Sequence, residues 1–356
     1  MTRYYYHTMR PFTTRRIACH PRSLLSGGGL TVTTLGFGGA PIGGLLRAAE
    51  SAAAADALRR GLAAGIGYVD TAPFYGFGRS ERLVGDALRG RMCVLSTKVG
   101  RLLRPGAHPN PLDLGWREPL PFHPVFDYSR DGVLRSVDDS LHRLGLASVD
   151  MLFAHDLGEM THGREANARH FAALRDGGYR ALDELRAAGV VSAIGLGVNE
   201  AEVCKVALDI GDWDAFLLAG RYTLLEQSPL DDLLPACQAA NTAIIIGGPF
   251  NSGILAGGDT WNYAAAPAEV RTRVAALQRV ADEHGIPLAA AALQFPLAHP
   301  TVASVIPGVR DAGELAQVLD WTRAPIPPEF WADLKHRDLL HPAAPTPTAS
   351  PFYAGD

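Results

Sequence analysis

Eight short apolar runs, each followed by sequence of helical pattern, constrain the fold more than any other feature of this chain. In order they are LTVTTLGF, IGYVD, CVLSTK, VDMLFAH, VVSAIGLG, DAFLLAG, TAIIIGG and TVASVIP. Strand–helix alternation of this count predicts an α/β fold, the (β/α)8 TIM barrel. The rival arrangement, a doubly wound parallel sheet, normally carries a G-x-G-x-x-G turn after a strand. The nearest match, GFGGAPIGG, has Pro41 where the third glycine should stand.

The chain has 356 residues, more than the roughly 250 of a typical barrel. Three segments account for the excess. Residues 1–26 hold five arginines and no acid, and are expected to be a disordered basic extension. Residues 101–129 read as a long proline-bearing loop, of the kind that carries function or disorder. The Pro/Ala-rich stretch 341–356 is expected to be a disordered tail, which leaves one barrel domain over 27–340. A net charge of −4 argues against a general nucleic-acid binder. The four cysteines form no CxxC pair, which suits a reducing, cytoplasmic setting and gives no metal spacing. No apolar window is long enough to span a bilayer.

Four reactive side chains end or closely follow three successive strand-like runs. Asp70 closes IGYVD, Tyr75 follows in the turn FYGFG, Lys98 closes CVLSTK and His155 closes VDMLFAH. Parallel α/β folds place their ligands at these carboxyl ends. A phenol is a weak acid at neutral pH. A nearby ammonium favours its phenolate, a carboxylate keeps the ammonium charged and placed, and a neutral imidazole can orient a substrate oxygen. The set suits proton exchange with an oxygen whose carbon exchanges hydride. Hydride needs a cofactor, and barrels bind phosphates at the ends of the seventh and eighth strands, here rich in glycine. Lys98 as a Schiff-base nucleophile is the alternative chemistry; it requires a neutral amine beside a carboxylate. A nucleotide-binding sensor barrel is the non-enzyme alternative.

The motifs GYVDTAPFYGFGRSERLVGDAL, STKVGR, SVDMLFAH, GVVSAIGLG and SVIPGV resemble those of the aldo-keto reductases, over about Leu30 to Leu319. Within that family the stretches PVFDYSRDGVLRSVDDSLHRLG, AHDLGEMTHG and GLGVNE look most like aldose 1-dehydrogenases and pyridoxal 4-dehydrogenases. The resemblance implies a catalytic tetrad of Asp70, Tyr75, Lys98 and His155. It implies nicotinamide-cofactor contacts at Gly38, Gly39, Asn199, Phe250, Asn251, Ser252, Gly253, Pro307, Gly308, Arg310 and Glu314, with Tyr222 covering the ring. NAD is expected over NADP: Gly308 and Glu314 stand where NADP-dependent members often carry Lys and Arg. The expected substrate is a small aldose oxidised at C1 to the lactone, with Trp116, Tyr128 and Asp156 in contact with it. Pyridoxal, or a general aldehyde or ketone, is the alternative.

Overall fold

A computed structural model describes residues 11–17 and 29–353. Two short strands, β1 (Thr14–Ile17) and β2 (Leu30–Thr33), form an antiparallel hairpin. The barrel strands follow: β3 (Phe37–Gly38), β4 (Tyr68–Asp70) and β5 (Val94–Val99). Next come the antiparallel pair β6 (Arg101–Pro105) and β7 (Phe122–Phe126). The barrel resumes with β8 (Met151–His155), β9 (Ala193–Val198), β10 (Ala215–Ala219) and β11 (Ala243–Gly247). A small hairpin, β12 (Thr260–Trp261) and β13 (Ala264–Ala265), precedes the last barrel strand, β14 (Val302–Ile306). The parallel sheet runs β14-β11-β10-β9-β8-β5-β4-β3, and the bridges Leu35–Val305 and Gly38–Gly308 close it into the predicted (β/α)8 barrel.

Each barrel strand is buried on both faces, which is why these runs read as continuously apolar. Tyr68, Met151, Phe153, Leu217, Ile245 and Ile306 fill the interior, with Val32 of β2 among them. The larger apolar cluster lies between sheet and helices. Serine caps the helix Arg130–Leu144 by accepting from Gly132 N through Ser129 Oγ, and Gly145 ends it in a left-handed conformation. No helix of the described residues is long and apolar enough to cross a membrane.

Composition misled at three places. The stretch 101–129 is not a plain loop: β6 and β7 pair there along five residues each. Residues 341–353 are not disordered, because Phe352 is fully buried and Tyr353 stacks on Phe12 at 5.3 Å. The same contact orders part of the basic extension. Thr13 N donates to Phe352 O at 2.9 Å, and the Arg15 guanidinium donates to carbonyls of Leu297, His299 and Val302. The rest of that extension lies outside the described residues.

Candidate active site

Asp70 and His155 end β4 and β8, and Lys98 is the penultimate residue of β5, so the barrel brings all three to its carboxyl-end mouth. Tyr75 joins them from the turn after β4. Lys98 Nζ donates to Asp70 Oδ2 at 2.6 Å, to Asp70 Oδ1 at 2.8 Å and to Thr71 O at 2.9 Å. Ser96 Oγ donates to Asp70 Oδ1 at 2.6 Å. An ammonium has three protons, and all are taken, which removes the neutral amine a Schiff base would need. Burial raises the Asp70 carboxyl above its ordinary pKa, and Lys98 and Ser96 oppose that rise.

The phenol departs from the sequence expectation. Lys98 Nζ lies 4.8 Å from the Tyr75 ring centre but gives the hydroxyl no hydrogen bond. Burial holds the Tyr75 pKa well above the usual phenol value, and the charges of Asp70 and Asp156 add to the rise. Tyr75 is therefore a neutral proton donor in this state. His155 is neutral too: burial pushes its pKa well below the ordinary imidazole value, helped by Arg101 and Lys98. Its ring stands perpendicular to that of Tyr75, with centroids 5.8 Å apart. Its Nε2 is 3.3 Å from Asp156 Oδ2, and Nδ1 has no partner.

The walls around Tyr75 and His155 are aromatic. Trp116 packs against Phe74 at 5.2 Å and against Tyr75 at 5.8 Å; Phe74 also meets His155 at 6.2 Å. Asp156 lies at this end, in the left-handed region with φ +50°. Tyr128 does not. It is buried beneath the site, donating its hydroxyl to His155 O at 2.5 Å. Its backbone lies so close to Gly178 that a Cβ there would meet Tyr128 O at 2.2 Å. Gly178 ends a π-helical turn, Leu174–Gly178, that joins two helices at the Gly-Gly pair.

A cleft of ≈ 690 Å³ runs from Asp70 and Tyr75 across the ends of β11 and β14. Of the sequence-predicted cofactor residues it is lined by Gly38, Gly39, Asn199, Phe250, Asn251, Ser252, Gly253, Gly308, Arg310 and Glu314. The volume falls within the range of small-molecule and cofactor sites. Its chemistry fits a nicotinamide dinucleotide. Ser252 and Gly253 take left-handed backbone conformations (φ +61° and +108°) in a sharp turn at the cleft wall, where Gly253 N donates to Phe250 O at 3.0 Å. Phe250 and Trp321, packed edge to face with ring centres 5.3 Å apart, wall the far end beside Val318 and Gln317.

Four cofactor expectations need correction. Tyr222 faces away from the cleft, into the helical layer, with its ring 5.3 Å from Phe295 and 5.6 Å from His299. Its φ of +52° is what turns it there. Pro307 contributes only its carbonyl, which accepts from Gly38 N at 3.0 Å. Asn251 is buried, its side chain bonds Gly220 O, Thr223 and Glu226, and its backbone N donates to Gly248 O at 2.9 Å, so it offers a ligand no free N–H. Asn199 is already engaged at both ends: Nδ2 donates to Asp156 Oδ1 and Oδ1 accepts from Tyr263 OH, each at 3.1 Å. At Gly308 a Cβ would meet Pro41 Cγ at 2.6 Å, so this backbone excludes a lysine there.

Three residues at the mouth receive no role from sequence reasoning, although Arg101 closes the motif STKVGR. Arg101, buried at 5 % exposure, pairs with Asp156 and lies over Phe74. Arg47, with Arg310, binds the Glu314 carboxylate; both contacts are 2.7 Å. Tyr263, on the tight β12–β13 hairpin, crosses the cleft to Asn199. Only an arginine within the apolar stretch VGRLL marks the first in advance.

The family model described as "Aldo/keto reductase family" matches residues 34–338. A pyridoxal 4-dehydrogenase of Microbacterium luteolum is 47 % identical over 327 residues, covering 88 % of this chain and 96 % of the relative. A D-threo-aldose 1-dehydrogenase of a Pseudomonas species is 36 % identical, covering 90 % and 97 %. Among solved structures, the holo form of an aldo-keto reductase from Bacillus halodurans superposes with a TM-score of 0.66 at 24 % identity, over 94 % of this chain and 98 % of that one. A barrel closed by these strands, matched by that family along nearly its whole length, leads to one conclusion: the chain belongs to the aldo/keto reductase family of NAD(P)-dependent oxidoreductases.

Proposed function

We propose that this protein oxidises a cyclic hemiacetal to its lactone with NAD, and that the hemiacetal is that of pyridoxal. The observation that carries the choice is the wall made by Phe74, Tyr75 and Trp116 around His155. Flat aromatic faces suit a pyridine ring. Pyridoxal bears a hydroxymethyl group next to its aldehyde and so closes to a hemiacetal, as an aldose does. The 47 % identity to a pyridoxal 4-dehydrogenase supports the same order of candidates. This reverses the order expected from sequence, which rested on the family likeness more than on the loop residues; of the latter Tyr128 is buried away from the mouth. A small aldose is the second reading, favoured by the polar trio Arg101, Asp156 and Asn199 and by the 36 % relative.

In this reading the hemiacetal hydroxyl lies between Tyr75 and His155. A nicotinamide held in the cleft would supply the hydride acceptor for the hemiacetal carbon. Tyr75, deprotonated for this direction, takes the hydroxyl proton as the C–O bond becomes the lactone carbonyl. Lys98 and Asp70 hold the local charge balance beneath the phenol. Neutral His155 orients the substrate oxygen without adding a charge of its own. The cleft residues from Phe250 to Gly253 would hold the cofactor phosphates, and Glu314 would accept from a ribose hydroxyl.

The test is a paired assay with NAD, pyridoxal against L-fucose and D-arabinose. A kcat/KM for pyridoxal at least about tenfold above each sugar, ~1.4 kcal/mol of transition-state binding, is the expected result. The reverse preference would transfer the assignment to an aldose.

A further inference from the structure

Three polar atoms around Phe74 and Tyr75 are buried without a hydrogen-bond partner: Trp116 Nε1, His155 Nδ1 and Arg101 Nε. Buried donors in native proteins are nearly always paired, because leaving one unpaired costs free energy. Arg101 is the most telling of the three. Its guanidinium is clamped between aromatic faces, 3.7 Å from the Phe74 ring centre and 4.8 Å from that of Phe126. A single side-chain hydrogen bond, from Nη2 to Asp156 Oδ2 at 2.5 Å, holds it in register. A guanidinium has five N–H donors, so most of this one is unspent, in a place where water is largely excluded.

Its surroundings are built rather than incidental. Asp156 occupies a left-handed backbone conformation that a non-glycine residue adopts only where its surroundings enforce it. The Asp156 carboxylate takes Arg101 on one oxygen and Asn199 on the other, and reaches the imidazole of His155. Arg101 is near enough to act on both groups at the reacting end: it lowers the pKa of His155 and opposes the rise at Tyr75.

We propose that Arg101 is the substrate-anchoring residue: its unspent N–H groups, in the aromatic clamp beside His155, bind an oxygen of the substrate other than the one that reacts. The inference rests on the hemiacetal reading above. The best match is an acidic hydroxyl next to the reacting carbon, which can meet the cation as an oxyanion. The phenolic oxygen of pyridoxal has that position. Asp156 and Asn199 act through Arg101 and are positioning residues.

A matched pair of substrates isolates the contact. 1,3-Dihydroisobenzofuran-1-ol is a cyclic hemiacetal with no second hydroxyl, and its 7-hydroxy derivative adds one phenol beside the reacting carbon. With NAD and the native protein, kcat/KM for the 7-hydroxy compound should exceed that of the parent by ~30-fold, about 2 kcal/mol. Most of this difference should lie in KM, and KM should fall as pH rises through the pKa of the substrate phenol. In Arg101→Met, which keeps a long apolar stem in the clamp, the preference should shrink to within about threefold and the pH dependence of KM should vanish. Arg101→Lys should retain part of both. NAD binding, read by titration calorimetry, should be unchanged in the Met variant. If the native protein oxidises both compounds equally well, the anchoring role is wrong whatever the variants do, and the hemiacetal reading stands. If it oxidises neither hemiacetal, nor pyridoxal nor any aldose, the hemiacetal reading fails and the anchoring role fails with it. A purely structural Arg101 would lower kcat/KM for both compounds by the same factor in Arg101→Met, and that result also overturns the proposal.

Discussion

Lys98 Nζ lies 4.8 Å from the centre of the Tyr75 ring, yet its three hydrogen bonds all go to Asp70 and Thr71. The ammonium therefore bears on the phenol through Asp70, whose charge it offsets. Removing it leaves a buried anion beneath the phenol, and an anion stabilises the protonated form. Lys98→Met should move the pH dependence of oxidation to higher pH, as well as lowering the rate. A pH profile with an unchanged inflection and a merely lower melting temperature would make Lys98 a structural ion pair.

Tyr75 is held as a neutral phenol, its pKa well above the usual value because it is buried near two carboxylates. Oxidation needs the deprotonated form as base, and reduction needs the protonated one. The oxidation rate should thus climb steadily through the alkaline range, while reduction should be flat across it until the phenol ionises. Tyr75→Phe should bind NAD as the native protein does and lose turnover by ~10²-fold or more, the scale of general acid–base catalysis. Retention of near-native turnover would take the phenol out of the chemistry.

Glu314 accepts from Arg310 N at 2.8 Å and from the Arg310 and Arg47 guanidinium groups at 2.7 Å each. One carboxylate thus occupies two cations at the edge of the cleft. It would repel a 2′-phosphate and also withhold the partners that a 2′-phosphate needs. Glu314→Gln should release both arginines and raise NADP affinity by about tenfold or more, with a smaller loss for NAD. Calorimetric titration of both cofactors reads this directly, and tighter binding of NADP by the native protein would contradict it.

His162 stacks at 4.4 Å on His170 and meets the Tyr128 hydroxyl at 3.2 Å, with its pKa pushed down to about 4, first by burial and then by the charges of His170 and Arg101. A histidine whose folded pKa lies below its unfolded value of about 6.5 binds fewer protons when folded. Stability then rises with pH across that interval and is lost as pH falls from about 6.5 to 4. The melting temperature of His162→Gln should fall less steeply over this range than that of the native protein. Parallel slopes for the two would show that other groups carry the acid sensitivity.

The legible part of this molecule is what local sequence controls. Asp70 and His155 each close a strand and Lys98 stands one residue before the end of another, so the fold that the apolar runs imply also places these side chains. The glycine-bearing turn Phe250–Gly253 could be read in the same way. What escaped depends on direction or on distant partners. Tyr222 follows a strand end as a cofactor-covering ring should, but a single left-handed backbone angle turns it into the helical layer. Arg101 looks like a loop arginine until Phe74, Phe126 and Asp156, from three other segments, close around it. The tail looked disordered because proline and alanine dominate it. Two aromatic residues at its end, Phe352 and Tyr353, outweigh that composition by finding Phe12 and Thr322.

The join between Thr13 and Phe352 has a consequence for how the chain can be rewired. It lies on the face of the barrel opposite the catalytic mouth, where Arg15 reaches the carbonyls that lead into β14. A chain trimmed to begin at Thr13 and end at Phe352 could be closed by a short linker across this join without approaching the cleft. New ends could then be cut into any exposed turn on the same face, so that a different strand–helix unit begins the chain.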